Sequence, residues 1–181
     1  VAGEQVDTDA ALGRGDLALA LIAAAQRGVR VDLLTGNGLA RRGDGTFFDG
    51  PRHRELFEYL VKHGYEPLLA AGVAVHEYAA PNLPNIVARG GAIRPYVHAK
   101  VAVVDGCIAS VGSANLDVTA SHWERELNLI IESTAIAGAL TAQLDALIER
   151  GHRLDPSSEA WQREAPRRAL ARTLWPDRVY Q

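Results

Sequence analysis

Residues 96–115 read YVHAKVAVVDGCIASVGSAN, from Tyr96 to Asn115, and the rest of the chain is understood outward from them. Val97, Val101, Val103 and Val104 give the first half the character of a buried strand. Side chains two residues apart in a strand share a face, so His98 and Lys100 are expected to project together beside Ala102. Asp105-Gly106 is a tight-turn pair. A second apolar run, Ile108 to Val111, is expected to return antiparallel and close in Gly112-Ser113-Ala114-Asn115. Such a hairpin gathers an imidazole, an ammonium and a small polar loop. That set suits a phosphate: the cation neutralises it, amides and hydroxyls donate to its oxygens, and an imidazole attacks phosphorus or moves a proton. Each residue taken singly says little, since a lone His or Lys in a strand is commonly an edge residue and Asp-Gly is a common turn.

Composition sets outer bounds. The 181 residues are 48% hydrophobic and 23% charged, which fits one soluble globular domain with a real core, here taken as residues 1–181 with the motif region at 95–132 and a C-terminal tail at 152–181. The net charge of −3 provides no global basic field of the kind a dedicated nucleic-acid binder carries, although a local cleft can still be basic. Cys107 is the only cysteine; it excludes an internal disulfide and is read as packing. No cluster of zinc ligands appears, so neither metal nor cofactor is expected. No apolar run approaches the roughly 18 residues a spanning helix needs, and no signal peptide is visible. A chain that enters at Val1 with VAGEQVDTDAALGRGD is expected to be the middle of a longer protein or a trimmed one. Its location is therefore left open between cytoplasm and membrane periphery.

The first half alternates helix and strand, which implies βαβ units and a mixed sheet with helices on both faces. Asp16 is a plausible N-cap for a helix through Leu17, Leu21, Ile22 and Ala25 that stops at Gly28. Val29, Val31, Leu33 and Leu34 read as a strand ending at Thr35-Gly36. Residues 36–50 read as a glycine-rich loop with exposed Phe47 and Phe48; Gly36 and Gly38 follow a strand but lack the rest of a phosphate-loop fingerprint. Pro51 opens a second helix with an expected break near Gly64, ended by Gly72, and Val73, Val75 and Tyr78 suggest another strand. Residues 79–94 read as loop, with Arg89 and Arg94 either solvated or assisting an anionic substrate. After Asn115 an irregular loop carries His122 and Trp123, which either line a substrate entrance or pack the loop. Glu126 stands at the mouth of an apolar run, Leu127 to Ile131, read as a buried strand; a buried carboxylate needs a partner, and an imidazole nitrogen is a good one. His53, His63, His76 and His152 have no motif around them and read as surface or edge residues. Residues 135–150 form an amphipathic helix with Leu140, Leu144, Leu147 and Ile148 on one stripe. The tail combines Trp161 and Trp175 with Arg163, Arg167, Arg168, Arg172 and Arg178, which fits either a packing helix with a solvated face or contact with lipid headgroups.

His98-x-Lys100, Asp105 after four residues, and Gly112-Ser113-x-Asn115 after six more resemble the signature of the phospholipase D superfamily at every position. The helix-to-strand junctions at residues 24–29 and 67–73 are similar to two in the same superfamily, and the tail resembles the end of bacterial cardiolipin-synthase-like members. The strand that the family places before Asp16 is at most partly present. The resemblance implies a catalytic set of His98, Lys100, Asp105, Asn115 and Glu126, with Gly112, Ser113, His122 and Trp123 against the substrate. Within that set Asp105 is expected to fix the hairpin, and Glu126 to hydrogen-bond a catalytic imidazole. Two H-x-K motifs would face each other across a two-fold or pseudo-two-fold interface, one His forming a phosphohistidine and the other protonating the leaving alcohol. This chain carries one copy, so a second is expected from another segment or a symmetry-related chain. The acidic charge and the tail favour a phospholipid headgroup with water or an alcohol as acceptor. The alternatives are a homodimeric endonuclease with the same chemistry and a non-catalytic half-domain; Asp105 counts against the tyrosyl-DNA phosphodiesterase branch.

Overall fold

The structure, a computed structural model, describes residues 16–36, 51–78, 86–88, 91–93, 97–114 and 125–174. Among them are four helices and eight strands: α1 (Asp16–Gln26), β1 (Asp32–Gly36), α2 (Pro51–Ala70), β2 (Ala74–Tyr78), β3 (Ile86–Ala88), β4 (Gly91–Ile93), β5 (Lys100–Val104), β6 (Ile108–Gly112), β7 (Asn128–Glu132), α3 (Thr134–Ile148), β8 (His152–Arg153) and α4 (Glu159–Leu174). One sheet has the order β1-β2-β8, with β1 and β2 parallel and β8 antiparallel; a second has the antiparallel order β5-β6-β7; β3 and β4 make a small hairpin. The expected α/β architecture of mixed sheet and flanking helices is present.

The two helix-to-strand junctions are built alike. Gly28 (φ 87°) and Gly72 (φ 95°) take left-handed backbone that a side chain would strain. Around Gly28, its amide donates to the Ala25 carbonyl and the Val29 amide to that of Ala24 (2.9 and 3.1 Å). Gly72 and Val73 repeat the pattern onto Leu69 and Leu68 (3.1 and 3.0 Å). Each is a paired closure of the last helical turn. It aims the chain straight into the next strand, which is why β1 and β2 lie side by side, Leu33 opposite Val75.

Val75 and Leu68 are fully buried and form a core with Tyr65, Val73, Leu154 and Trp161; Leu21, Ile22 and Leu33 pack around it. This core joins α1, α2 and α4 on one face of the first sheet. α3 spans both sheets, packing against β1, β2, β5 and β6. Its N-cap is Ser133, whose Oγ accepts from the Ile136 amide (3.3 Å).

Several local expectations change. α2 runs unbroken through Gly64 and tolerates Pro67 inside its last turn. Residues 86–93 include a hairpin where loop was expected. β1 starts at Asp32, leaving Val29 exposed before it. His76 is buried, not at the surface, because β2 is the central strand of its sheet; its Nε2 stands 3.4 Å from Asp32 Oδ1 without a hydrogen bond. β7 is the opposite case: the apolar run expected to be buried is exposed, Leu129 at 58% and Ile130 at 70%. It is an outer strand of its sheet, and these two neighbours point to opposite faces, so along β7 one flank and both faces lack cover among the described residues. The Asp16 side chain, Phe47, Phe48, His53, Arg89, Arg94, Trp175, Arg178 and the strand expected before Asp16 lie outside what is described.

Candidate active site

The β5–β6 hairpin forms as its sequence requires. Lys100 pairs with Gly112 at one end and Val104 with Ile108 at the other. Asp105 (φ 51°) and Gly106 (φ 65°) both have positive φ, the turn hand that matches strand twist. The Cys107 amide closes the turn on the Val104 carbonyl (3.1 Å). Asp105 therefore sits at the far end of the hairpin from His98, in the position that fixes the turn.

At the other end three strands each contribute one residue to a single rung: Lys100, Gly112 and Asn128 are successive partners across β5, β6 and β7. The Lys100 ammonium is held by the backbone carbonyl of His98 (2.9 Å). His98 lies just before β5 and is exposed, and Lys100 is half-buried. The beginning of the polar loop is pinned to the entrance of β7. The Ser113 amide donates to the Leu127 carbonyl (3.0 Å), the Leu127 amide donates to Ser113 Oγ (3.1 Å), and the Ala114 amide donates to Asn128 Oδ1 (3.2 Å). Gly112 is a glycine for lack of room: a Cβ there would overlap the Leu127 carbonyl and the Asn128 side chain. Glu126, half-buried, directly precedes this clasp.

The structure thus brings His98, Lys100, Gly112, Ser113 and the Glu126–Leu127 entrance to one end of the second sheet. Asn115, His122 and Trp123 lie outside the described residues. Asn128 is the residue the sequence reading passed over. A polar side chain inside Leu127-Asn128-Leu129-Ile130 was the available signal, because an apolar strand admits an amide only where it has a hydrogen-bond duty.

Alternation puts Lys100, Ala102, Val104, Ile108, Ser110, Gly112, Asn128 and Ile130 on one face of this sheet. That face is open, with Val104 at 52% and Ile108 at 39% exposure. On the opposite face fully buried Ala109 lies under α3, which packs on β5 and β6, while Leu129 of β7 on that face is exposed. The ammonium therefore emerges at the margin of an uncovered apolar surface.

This geometry coincides with a family match. The family model described as "Cardiolipin synthase, PLD-like domain" covers residues 10–148. The chain belongs to the cardiolipin-synthase-like phospholipase D family. It is 31% identical over 140 residues to cardiolipin synthase A of Citrobacter koseri, and equally to that of Salmonella arizonae; each match covers 77% of this chain and 23% of the relative. The chain thus spans about a quarter of those relatives' length. Among solved structures it is similar in fold to Nuc, a phospholipase D family member from Salmonella typhimurium, with a TM-score of 0.53 at 19% identity over 77% of this chain and 74% of that one.

Proposed function

We propose that the chain supplies one half of a phosphodiesterase or phosphatidyltransferase site that acts on phospholipid through a covalent phosphohistidine. The observation that carries this reading is the rung of Lys100, Gly112 and Asn128 beside His98, placed at the margin of an open sheet face. Lys100 and Asn115, with the Ser113 hydroxyl, hold the nonbridging oxygens of the phosphodiester. One imidazole nitrogen attacks phosphorus and forms the P–N bond. The P–O bond to the leaving alcohol breaks, and a second imidazolium gives that oxygen its proton. The second imidazole, now neutral, takes a proton from water or an acceptor alcohol, whose oxygen attacks phosphorus and releases His98. Glu126 orients an imidazole in this scheme, and Asp105 keeps the hairpin in register without touching phosphate. The second imidazole comes from another segment of a longer protein or from a second chain, and the uncovered face of β5–β7 is where such a partner would meet this half.

The test is a side-by-side assay of the purified chain on phosphatidylglycerol and on single-stranded DNA, with the mass in solution measured in the same samples. Lipid turnover that disappears in His98→Ala, with an acid-labile phosphoryl adduct on His98 in the parent, is the expected result. DNA cleavage without lipid turnover transfers the chemistry to the endonuclease reading. An inactive chain that remains monomeric, and stays inactive when a second motif-bearing segment is added, leaves a binding module.

A further inference from the structure

α4 has two distinct faces. Inward, Trp161 and Ala171 are buried, and Arg168 is 2% exposed. Its guanidinium stacks 3.9 Å over the Trp161 ring and bonds Glu66 at 2.6 Å. Outward, Glu159, Arg163, Arg167, Leu170 and Leu174 follow one another at spacings of four, four, three and four residues, so they form a single stripe. Leu170 is 56% and Leu174 58% exposed. Two large apolar side chains in water, in line with two arginines, are more than a solvated face requires.

The arginine half of the stripe has a receptor shape. Ala160, Arg163, Glu164 and Arg167 line an open hollow of about 310 Å³. The carboxylate among these residues, Glu164, is turned to the Lys62 ammonium at 3.4 Å. The two guanidiniums have local partners: Arg163 meets Glu159 at 3.1 Å, and Arg167 donates to the Tyr59 hydroxyl at 2.9 Å and lies over its ring. Among its described lining residues two guanidiniums stand against one carboxylate, and a phosphate suits paired guanidiniums.

The leucine half is placed by the direction of the helix. Glu164 reaches Lys62, Arg167 reaches Tyr59, and Ala171 packs with Tyr59 and Leu60, so α4 runs antiparallel to α2. α2 finishes beside the start of β2, and α4 therefore finishes toward the end where β1 and β2 stop. The Val97 carbonyl lies at that same end, 3.4 Å from where a Cβ on Gly36 would stand. Leu170 and Leu174 are on the His98 side of the molecule.

We infer that the outer stripe of α4 is an interfacial contact for an anionic phospholipid bilayer. Leu170 and Leu174 enter the boundary between headgroups and acyl chains, and Arg163 and Arg167 take lipid phosphates. Apolar area and basic charge act together in such contacts, and the charged part weakens with salt. The inference draws on the lipid reading only for its purpose, since binding is measured without turnover.

The test is flotation of the purified chain with vesicles of equimolar phosphatidylglycerol and phosphatidylcholine, against phosphatidylcholine alone, at low and high salt. The chain floats with the anionic vesicles and not the neutral ones. Leu170→Glu with Leu174→Glu weakens binding about tenfold or more. Arg163→Gln and Arg167→Gln weaken it about fivefold each and reduce its salt dependence. Vesicles also slow amide exchange at residues 170–174 in the unmodified chain, a readout that needs no variant to fold. No flotation, or flotation and exchange that ignore the leucine changes, overturns the inference. So does loss of self-association or of single-stranded DNA binding in these variants without any vesicle binding, which assigns the stripe to a protein or nucleic-acid partner. His98→Ala still floats. A chain that floats but never turns lipid over sinks the lipid reading alone, and one that cleaves dispersed lipid without floating sinks this inference alone.

Discussion

The two three-stranded sheets of this chain are made from similar residues and finished differently. β1-β2-β8 is closed: β2 runs through its centre, with Val75 fully buried against Leu68. On the same face as Val75, Glu77 lies 3.9 Å from the Lys62 ammonium, which also has Glu58 at 3.8 Å and Glu164 at 3.4 Å. In β5-β6-β7, α3 covers one face of β5 and β6 and the other face is open, with the phosphate-binding candidates at its margin. The first sheet holds the buried core, and the second presents the candidate site at its margin. Substitutions in the two should therefore fail in different assays, and the following tests are ordered by expected size.

His98→Ala on the open sheet should lower phosphodiester turnover by about a thousandfold or more, while the thermal midpoint stays within a degree or two, because the side chain is exposed. A comparable fall in melting temperature would erase the distinction between the sheets. Lys62→Ala on the closed side should cost about 3–5 kcal/mol in urea unfolding, since it removes a buried cation that lies beside buried Glu58 and Glu77. Lys62→Met with Glu58→Gln and Glu77→Gln should recover much of that loss. Gly112→Ala crosses the division. The added methyl meets the Leu127 carbonyl and Asn128, so about 1–3 kcal/mol of stability should go together with most of the activity. Val104→Thr, on the open face, should change stability by less than about 0.5 kcal/mol.

The closed side also predicts a pH response. Burial, the larger cause, pushes the Tyr65 hydroxyl well above its usual range, with Glu58 and Glu77 adding to the shift and the Thr35 hydroxyl (2.9 Å) opposing it. A proton held more tightly when folded gives stability that is complete below the unfolded pKa of about 10. That stability declines as pH rises above this value. Tyr65→Phe should remove this part of the alkaline loss, read as a flatter midpoint between neutral and strongly alkaline pH. An unchanged slope would show that Tyr65 does not carry it.

Much of this was legible in the residues. The hairpin announces itself through Asp105-Gly106 and the valines on either side, and the two helix exits through Gly28 and Gly72, because local turn chemistry is written in local sequence. The helix stripe of α3 was visible for the same reason. Burial was harder to read. Leu129, Ile130 and Val75 look alike in a sequence, yet two are exposed and one is fully buried; what separates them is where each strand stands in its sheet, which is long-range information. His76 was misjudged for that reason. Lys62 could not be seen as the centre of three carboxylates, since Glu77 and Glu164 come to it from distant segments. Asn128 shows its duty only once β7 is laid beside β6.

The three-strand rung has a consequence for how the chain reaches its native state. In pleated strands a slip of one residue sends every side chain to the other side. Were β5 to pair one place out, with Lys100 opposite Val111, its ammonium would be turned to the face that carries α3, among apolar side chains that do not compensate a charge. Misaligned pairings are thereby penalised during assembly, and the cation at the candidate site also proofreads the sheet that presents it.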